Sequence, residues 1–413
     1  MKLKIMLSLA VACPAFLAPV SEDPNIRIFD HSIIRLFDYS IISPASAETV
    51  VDVSGVGKAK TSVQINVANP MFAKCLKKNL ELSGLFAVGN AGAVKVTGGS
   101  GAIVAEGAGK RLSSATPFSD DRSARMAARK LSDAMCEAYG QQKGFALDKI
   151  VFLNRGRQQA KGASVPGEIC MTYPDGFDIR QLTSDAKMTV FPRWKADGES
   201  IFYISDKNGA PQIWEMNTAT GQRNRKWSFK GTPAGIAVSP DGSRVAAILS
   251  FQGNPELYIL QGDRYIRLTN TPNASEGQPT WSPDGRQIAF VSNETRYPQI
   301  YVIDVATKQK RRLTSRGSQN VDPDWGKDGR IAYITKRGGA QVAVMDAVSG
   351  DAKAKLVTDV SASWQHPSWA RDNRHVVASR DKALFVIDTE EGGDKPRQVF
   401  VANGNWISPS WVK

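Results

Sequence analysis

The chain has 413 residues, of which 42% are hydrophobic and 23% charged, as in soluble globular proteins, and it is long enough for two or three domains. Its formal net charge of +13 is consistent with anionic partners. The alternative is a solvated, mildly basic surface, which the absence of any Lys/Arg run longer than three residues favours. Four cysteines, of which Cys13 precedes the expected mature start, exclude a disulfide framework.

The first 47 residues have the features of an export leader. The segment Met1–Ala18 contains two lysines and an apolar run, a signal-peptide pattern that is too short to span a bilayer. The small residues at 45–47 form the better cleavage site, although they lie far from the apolar run, and a lipoprotein-type site at Cys13 is the alternative. We predict a leader over residues 1–47 and a mature start near Glu48. No second apolar segment of spanning length follows, so no transmembrane segment is expected in the mature chain.

Residues 48–146 predict a small α/β domain. The segment Thr61–Val67 alternates apolar and polar residues as a strand does. Pro70 begins a helical pattern that Gly84 ends, and Ser119, with Asp120 and Asp121, is expected to cap a second helix that ends at Gly140. Further strands are expected over three short segments, at Leu85–Val88, Ala93–Val96 and Ala102–Glu106.

Two cysteines fall in these two predicted helices. Cys75 and Cys136 could pair in an oxidising compartment, or they could remain partly buried thiols. The sequence leaves both alternatives open.

Residues 149–413 contain a repeat. A Trp, or one Val in its place, recurs at the centre of a short predicted strand at intervals of 44, 43, 44, 44 and 42 residues, at Trp194, Val238, Trp281, Trp325, Trp369 and Trp411. A turn of the Asp-Gly type follows these positions, then two further strands and a fourth that ends in Leu-Thr. A period in the mid-forties with four strands per unit indicates a β-propeller.

The two ends of the repeat region complement each other. The last repeat stops after its first strand, Ser408–Lys413, whereas the region begins at Lys149–Asn154 with a second strand that has no first strand. The C-terminal strand is therefore expected to complete the first blade, because closure removes the exposed sheet edges of an open ring. We predict a mainly β protein with a closed six-bladed propeller over 149–413, preceded by the small α/β domain.

The repeat resembles that of a known family. The segment Pro279–Phe290, Pro-Thr-Trp-Ser-Pro-Asp-Gly-Arg-Gln-Ile-Ala-Phe, is similar to the propeller repeat of the TolB family, and Asn79–Phe86 looks like the end of that family's first helix. The chain departs from the family in its shorter small domain, a near-repeat over Phe29–Ile42 in the leader, and Val238 in place of a Trp. The resemblance implies a non-enzymatic periplasmic scaffold of the Tol–Pal system, which serves outer-membrane integrity and envelope constriction at cell division.

The resemblance also implies two protein partners. A Pal-like peptidoglycan-associated lipoprotein would dock at the propeller mouth, on the connections that lead into the innermost strands, with the candidate residues Thr232, Glu276, Gly277, Asn320, Trp364, Gln365, His366, Asn405 and Trp406. Trp364 and Trp406 are either anchors for this partner or packing residues between adjacent blades. A TolA-like inner-membrane protein would accept the N-terminal strand by β-augmentation, through Glu48, Thr49, Val50, Val51, Asp52 and Val53. The alternative is that this strand forms an edge of the small domain.

The sequence offers little for catalysis. The two histidines of the mature chain, His366 and His375, lie at no metal-ligand spacing, and neither a Cys-x-x-Cys nor a Gly-x-Ser-x-Gly motif occurs. We therefore expect no catalytic residue, no metal, no cofactor and no nucleic-acid partner, and a monomer. Two other classes remain as alternatives: a propeller enzyme of the peptidase or glycan-lyase type, which would need a polar pocket containing His366, and a propeller lectin or ligand sensor.

Overall fold

The computed structural model describes residues 59–114, 117–155, 166–228, 231–251, 253–359, 363–390, 396–400 and 404–412. The predicted leader (1–47) and the predicted N-terminal strand Glu48–Val53 lie outside the described residues. Among the helices of the described segments, none combines the length and the apolar character needed to cross a bilayer.

The small domain is a five-stranded sheet covered by two helices. Its sheet has the order β2-β1-β3-β4-β5, in which β1 is parallel to both neighbours and the other pairs are antiparallel. The elements are β1 (Thr61–Val67), α1 (Pro70–Leu82), β2 (Phe86–Gly89), β3 (Val94–Gly99), β4 (Ala102–Gly107), β5 (Lys110–Ser114) and α2 (Asp121–Gly140). The apolar faces of both helices share one core with β1, β3 and β4.

The helix ends follow from local chemistry, with one correction. Asn69 caps α1 by accepting a hydrogen bond from the backbone N–H of Phe72 at 2.8 Å, and Pro70 takes the first helical position, where no N–H is needed. Asp120, and not Ser119, caps α2, because its carboxylate accepts from the Ser123 N–H at 2.7 Å and completes a capping box. The sequence did not predict β5, an edge strand with a single large apolar residue. The three cysteines at 75, 136 and 170 are free and buried.

Six four-stranded sheets form the propeller, which confirms the predicted fold. The strands of each blade are given from the innermost outward. Blade 2 is β9–β12 (Thr189–Trp194, Ser200–Ser205, Gln212–Asn217, Arg223–Trp227), and blade 3 is β13–β16 (Thr232–Val238, Val245–Ser250, Pro255–Gln261, Arg264–Arg267). Blade 4 is β17–β20 (Glu276–Trp281, Gln287–Ser292, Gln299–Asp304, Lys310–Arg312), blade 5 is β21–β24 (Asn320–Trp325, Arg330–Lys336, Ala340–Asp346, Gly350–Leu356), and blade 6 is β25–β28 (Trp364–Trp369, His375–Arg380, Ala383–Asp388, Arg397–Gln398).

Blade 1 closes the ring as the sequence predicts. Its three outer strands are β6 (Ile150–Arg155), β7 (Gly167–Thr172) and β8 (Arg180–Gln181), and its innermost strand is the C-terminal β29 (Trp406–Trp411). In the antiparallel pairing of β29 with β6, Trp411 lies opposite Ile150.

The recurring residues of the repeat are scaffold. In blade 4, Trp281 is the last residue of β17 and is buried, and the carboxylate of Asp284 accepts from the Arg286 N–H at 3.1 Å and holds the turn. The Thr of the Leu-Thr pair, Thr314, accepts from the Ile300 N–H at 2.9 Å and donates to the side chain of Gln299 at 2.8 Å. This Thr therefore fastens the end of the outer strand to the third strand.

Several contacts join the small domain to the propeller, and one of them is a buried ion pair. Asp175, in the turn between β7 and β8, accepts from Arg129 of α2 through Nε at 2.8 Å and Nη2 at 3.0 Å. The same carboxylate accepts from Cys75 Sγ at 3.1 Å and from Asn79 Nδ2 at 2.9 Å, both on α1. Both charged side chains are fully buried. The turn of blade 1 is therefore anchored on both helices.

Another contact between the small domain and the propeller lies beneath blade 6 and blade 1. Phe145, in the segment after α2, packs against His375 and, edge-on, against Trp411, with centroid distances of 4.7 and 5.3 Å. Asp148 is buried beside the partly exposed Arg371, whose Nε lies 2.7 Å from its Oδ1. Burial is the main cause that raises the pKa of Asp148, to about 8, and the guanidinium of Arg371 opposes it.

This buried carboxyl predicts a pH dependence of folding. Because the pKa of Asp148 is raised in the folded state, the folded chain binds this proton more tightly than the unfolded chain does, and the resulting stability is lost as pH rises through about 8. Titration of Asp148 should lower the free energy of unfolding by about 2 kcal/mol between about pH 6.5 and 8.5. Urea titrations at the two pH values should show a loss that is about 2 kcal/mol smaller in Asp148→Asn than in the unchanged chain, since other groups that titrate in this range are unaffected. An equal loss in the variant would contradict the assignment.

Candidate functional site: the central channel

The innermost strands share a bulge that faces the channel. Three residues before the Trp the ladder register shifts, and the backbone takes φ values of 48 to 53° at Phe191, Gln278, Asp322, His366 and Ser408. A proline follows each of these residues. Gly235 occupies the same position in blade 3, beside a register shift of that blade. The bulge re-aims these side chains towards the channel, and such strained positions in β-sheets cluster at functional sites.

The bulge residues of three consecutive blades are tied together. The side chain of Gln278 accepts from the Asp322 N–H at 2.8 Å, and its amide nitrogen donates to the Asp322 carboxylate. That carboxylate also accepts from the His366 N–H at 2.9 Å. These bonds form a narrow polar section across blades 4, 5 and 6.

A second set of hydrogen bonds also joins neighbouring blades. In each of them the backbone N–H of the Trp in one blade donates to the side chain of the residue between Pro and Trp in the preceding blade. The three pairs, with N···O distances of 2.8 to 3.1 Å, are Thr280 with Trp325, Asp324 with Trp369 and Ser368 with Trp411. The Pro-x-Trp part of the repeat therefore carries the bonds between blades as well as the blade core.

Two cavities lie along the channel on either side of this polar section, and both are lined by Gln278 and His366. The cavity at the mouth, where the innermost strands begin, has about 340 Å³. The cavity at the opposite end, towards the Asp-Gly turns, has about 480 Å³. No described residue of the small domain lines either cavity.

The predicted mouth residues lie almost entirely in strands and not in connecting loops. The innermost strands begin at or within two residues of the predicted sites, because the bulge and the following proline interrupt the alternation by which a strand is recognised. Only Asn405 precedes its strand. Of the nine residues, Thr232, Gln365, His366 and Asn405 are half-buried, and Gln365, His366 and Asn405 line the mouth cavity.

The other five predicted mouth residues, Glu276, Gly277, Asn320, Trp364 and Trp406, are buried. Trp364 packs edge-on against Phe385 at a centroid distance of 5.5 Å, and Trp406 packs against Phe400 at 4.1 Å. In this conformation both indoles pack within the propeller, and their role as anchors for a partner stays a prediction.

Two of the buried polar residues support the mouth from below. Asn320 donates to the side chain of Gln299 at 2.8 Å and to the carbonyl of Arg316 at 2.7 Å, and so holds the loop before β21. The carboxyl of Glu276 accepts from the Thr271 hydroxyl at 2.7 Å. Burial raises the pKa of Glu276 to about 7, and this hydrogen bond opposes the shift.

The sequence reasoning missed several residues of the mouth. Arg155, Phe191, Arg380 and Lys382 line the same cavity as Gln365 and Asn405, together with Asp381. The signal for Phe191 was present in the repeat, since it lies three residues before Trp194 and directly before a proline. The three cations give the mouth a basic character that single residues in separate loops did not reveal.

The histidines lie in different surroundings. His366 lines the channel with Asp322, whose Oδ2 lies 4.0 Å from its Nε2, while His375 lies beneath blade 6 with its Nδ1 2.6 Å from Asp372 Oδ2. In the described residues no three His, Cys, Asp or Glu side chains are grouped so that they could hold a metal ion.

Comparison with known proteins agrees with this architecture. The model of a family described as the TolB beta propeller domain matches residues 136–413. The Tol-Pal system proteins TolB of Francisella tularensis subsp. tularensis (strain WY96-3418) and subsp. mediasiatica (strain FSC147) are each 27% identical to this chain over 307 residues, which cover 70% of this chain and 68% of the relative. The crystal structure of TolB from Acinetobacter baumannii has a TM-score of 0.72 at 21% identity and covers 86% of this chain and 97% of its own.

Proposed function

This chain belongs to the TolB β-propeller family, and we propose that it is a non-enzymatic periplasmic scaffold of a Tol–Pal system, which binds a Pal-like lipoprotein at the propeller mouth and a TolA-like protein through its N-terminal segment. The scaffold would serve outer-membrane integrity and constriction of the envelope at cell division. The family match and the Tol-Pal names of the relatives support the assignment.

The observation that supports binding of a Pal-like protein is the ring of half-buried side chains around the mouth cavity. Gln365 and Asn405 come from adjacent blades and face the same space as His366. Arg380 and Lys382 flank them, so a partner with acidic groups would be favoured. Trp364 and Trp406, the sequence neighbours of Gln365 and Asn405, are buried.

The mouth contact can be measured with the soluble domain of the peptidoglycan-associated lipoprotein from the same organism. The double variant Gln365→Ala, Asn405→Ala should raise the Kd at least tenfold in titration calorimetry, because each side chain loses polar contacts at a partly desolvated mouth and about 1.4 kcal/mol corresponds to tenfold. The matched control Gln222→Ala, Asn224→Ala changes exposed residues of blade 2, away from both cavities, and should leave the Kd unchanged. Equal affinities for the two double variants would contradict docking at the mouth.

The proposed binding of a TolA-like protein rests on the sequence pattern and on the family resemblance, because Glu48–Val53 lies outside the described residues. Val51→Pro removes a backbone N–H that an added strand would donate, so binding of the periplasmic domain of a TolA-like protein should be lost while Pal binding is kept. Lys58→Pro, in the glycine-containing segment 54–60 that follows the predicted strand, is the matched control and should bind both partners. Retained binding by Val51→Pro would show that this segment does not act as an added strand.

A further inference from the structure

We propose that the outer rim of blades 2, 3 and 4 binds the surface of a bilayer that contains anionic phospholipids. This rim consists of the three outermost strands β12, β16 and β20. It faces sideways, away from the channel axis, so a bilayer held there leaves the mouth open to a protein. The contact would hold the chain at a membrane surface, which goes beyond the proposed scaffold role and does not depend on it.

The rim of blades 2–4 is strongly and uniformly basic. Eight of the twelve residues in β12, β16 and β20 are Arg or Lys, and none is acidic. The outermost strands of the other three blades, β8, β24 and β28, have four basic residues and Asp351 among eleven. An excess of positive charge is therefore concentrated on one side of the ring.

Protection of the sheet edges does not account for this pattern. Charged side chains on an outermost strand prevent its pairing with another sheet, but charges of either sign do so. Three neighbouring strands without a carboxylate repel one another and protect their edges no better than a mixture of signs would. A single sign over one surface is instead the arrangement that attracts an anionic partner.

The three outermost strands form one continuous surface. Trp227, at the end of β12, donates through Nε1 to the carbonyl of Gly262, in the turn before β16, at 2.9 Å. In the same way, Nζ of Lys308, in the turn before β20, donates to the carbonyl of Arg267 at 3.1 Å. These bonds hold the outer edges of neighbouring blades together, so their cations lie side by side along the rim.

Half of the eight cations are paired within the protein. Carboxylates form ion pairs with Arg223, Lys226, Arg267 and Lys310. In the described part of the chain no carboxylate forms an ion pair with the four exposed arginines Arg225, Arg264, Arg311 and Arg312. The hairpin turns before the three strands add one charge of each sign, Asp263 and Lys308. An anionic partner would therefore meet four arginines that are not engaged in ion pairs.

Two apolar side chains among the cations favour a lipid surface over a soluble polyanion. Tyr265 and Ile266, in the centre of β16, are 45% and 39% exposed and lie between Arg264 and Arg267. Cations beside exposed aromatic and aliphatic side chains also hold amphipathic helices at a bilayer interface, where lipid phosphates meet the cations. Because the arginines lie on three blades, a small anion would reach only one or two of them, whereas the phosphates of a bilayer extend along the whole rim.

Co-sedimentation of the exported chain with vesicles tests the proposal. We expect binding to vesicles of phosphatidylglycerol and phosphatidylcholine in equal parts, and none to vesicles of phosphatidylcholine alone. Binding should weaken as salt is added, because the Debye length shortens from about 10 Å at 0.1 M to about 3 Å at 1 M ionic strength. Absence of binding to the anionic vesicles at low salt, or equal binding to both kinds, would overturn the proposal.

Matched charge variants locate the contact on the rim. Each cation near an anionic surface strengthens binding about fivefold, so the double variant Arg225→Gln, Arg264→Gln should weaken vesicle binding roughly 25-fold. Arg225→Lys, Arg264→Lys keeps both charges and should bind as the unchanged chain does. Arg111→Gln, Arg122→Gln removes two exposed cations of the small domain and should leave vesicle binding unchanged. Equal losses in the two glutamine variants would mean attraction by net charge alone and would overturn the rim site.

A third variant separates a lipid surface from a soluble polyanion. Tyr265→Ser, Ile266→Ser keeps every cation, so it should weaken binding to the anionic vesicles roughly tenfold and leave binding to dextran sulfate unchanged. Equal vesicle binding by this variant and the unchanged chain would mean that the rim recognises negative charge of any kind, which would overturn the lipid assignment. Pal binding at the mouth should persist in all of these variants, so failure of the rim contact and failure of the mouth contact are distinguishable.

Discussion

Deletion of residues 408–413 is expected to lower the thermal midpoint of the whole propeller by at least about 10 °C. The deleted segment includes most of β29, the innermost strand of blade 1, and with it the fully buried Trp411. Loss of one buried Trp side chain costs about 3–5 kcal/mol, a large part of the 5–15 kcal/mol that typically stabilises a domain. About 1 kcal/mol corresponds to 2–4 °C in a domain of this size.

The effect should spread because β29 contacts more than its own blade. The Trp411 N–H donates to the hydroxyl of Ser368 in blade 6 at 3.1 Å, and Trp194 of blade 2 donates through Nε1 to the Ser410 carbonyl at 3.0 Å. Trp411 also packs against Phe145 of the segment after α2. The deletion therefore opens the ring at two junctions and leaves the edge of β6 exposed.

Differential scanning calorimetry of the exported chain measures this effect, and Lys413 supplies the control. Deletion of Lys413 alone leaves β29 intact and should shift the midpoint by less than about 2 °C. Trp411→Ala keeps the strand but removes its buried side chain, so it should fall between the two deletions. An unchanged midpoint after loss of residues 408–413 would show that the ring does not depend on this closure.

The repeat made the propeller predictable, because its spacing is a property of the chain itself. Six positions at intervals of 42–44 residues fix the number of blades, and the mismatch between the first and last repeats fixes where the ring closes. Each of the six positions is the last residue of an innermost strand, including Val238. A repeat of this kind can be recognised in a single sequence because every blade must bury the same face.

The channel was less predictable, because its geometry arises from a backbone feature that breaks the pattern. A residue such as Gln278, with φ of 48° and a proline after it, appears in the sequence as the end of a loop. The structure places it within β17, with its side chain lining the channel. Contacts between blades, such as that of Asp322 with the His366 N–H, join residues 44 positions apart and leave no local signal.

The docking of the two domains was hidden for a different reason. Pro174-Asp175-Gly176 has the same sequence as the Pro-Asp-Gly turns of blades 3 and 4, where the Asp holds its own turn. In blade 1 the carboxylate of Asp175 bonds its own turn through the Phe177 N–H at 3.0 Å and also enters the space between α1 and α2. The partners on α1 and α2, far away in the sequence, distinguish this turn from the others.

Asp175→Ala is expected to lower the free energy of unfolding by about 3–5 kcal/mol, the cost of leaving a buried charge without its partner. The guanidinium of Arg129 is fully buried and lies 3.8 Å from the ring centroid of Tyr173, so water cannot replace the lost carboxylate. Asp178, whose Oδ2 lies 3.0 Å from Arg129 Nη1, compensates only in part because it is itself partly exposed. Asn79 would lose an acceptor in the same place.

Urea unfolding provides the measurement, and the repeat supplies a matched control. Asp284→Ala changes the same residue of the same Pro-Asp-Gly turn in blade 4, where it is exposed, and should cost about 1 kcal/mol. The double variant Arg129→Met, Asp175→Ala removes both charges and should be more stable than Asp175→Ala alone, because no buried cation is left uncompensated. If Asp175→Ala and Asp284→Ala lost equal stability, the ion pair would not be what holds the small domain on the propeller. A larger loss for Asp175→Ala, recovered in part by the second substitution, would establish that it is.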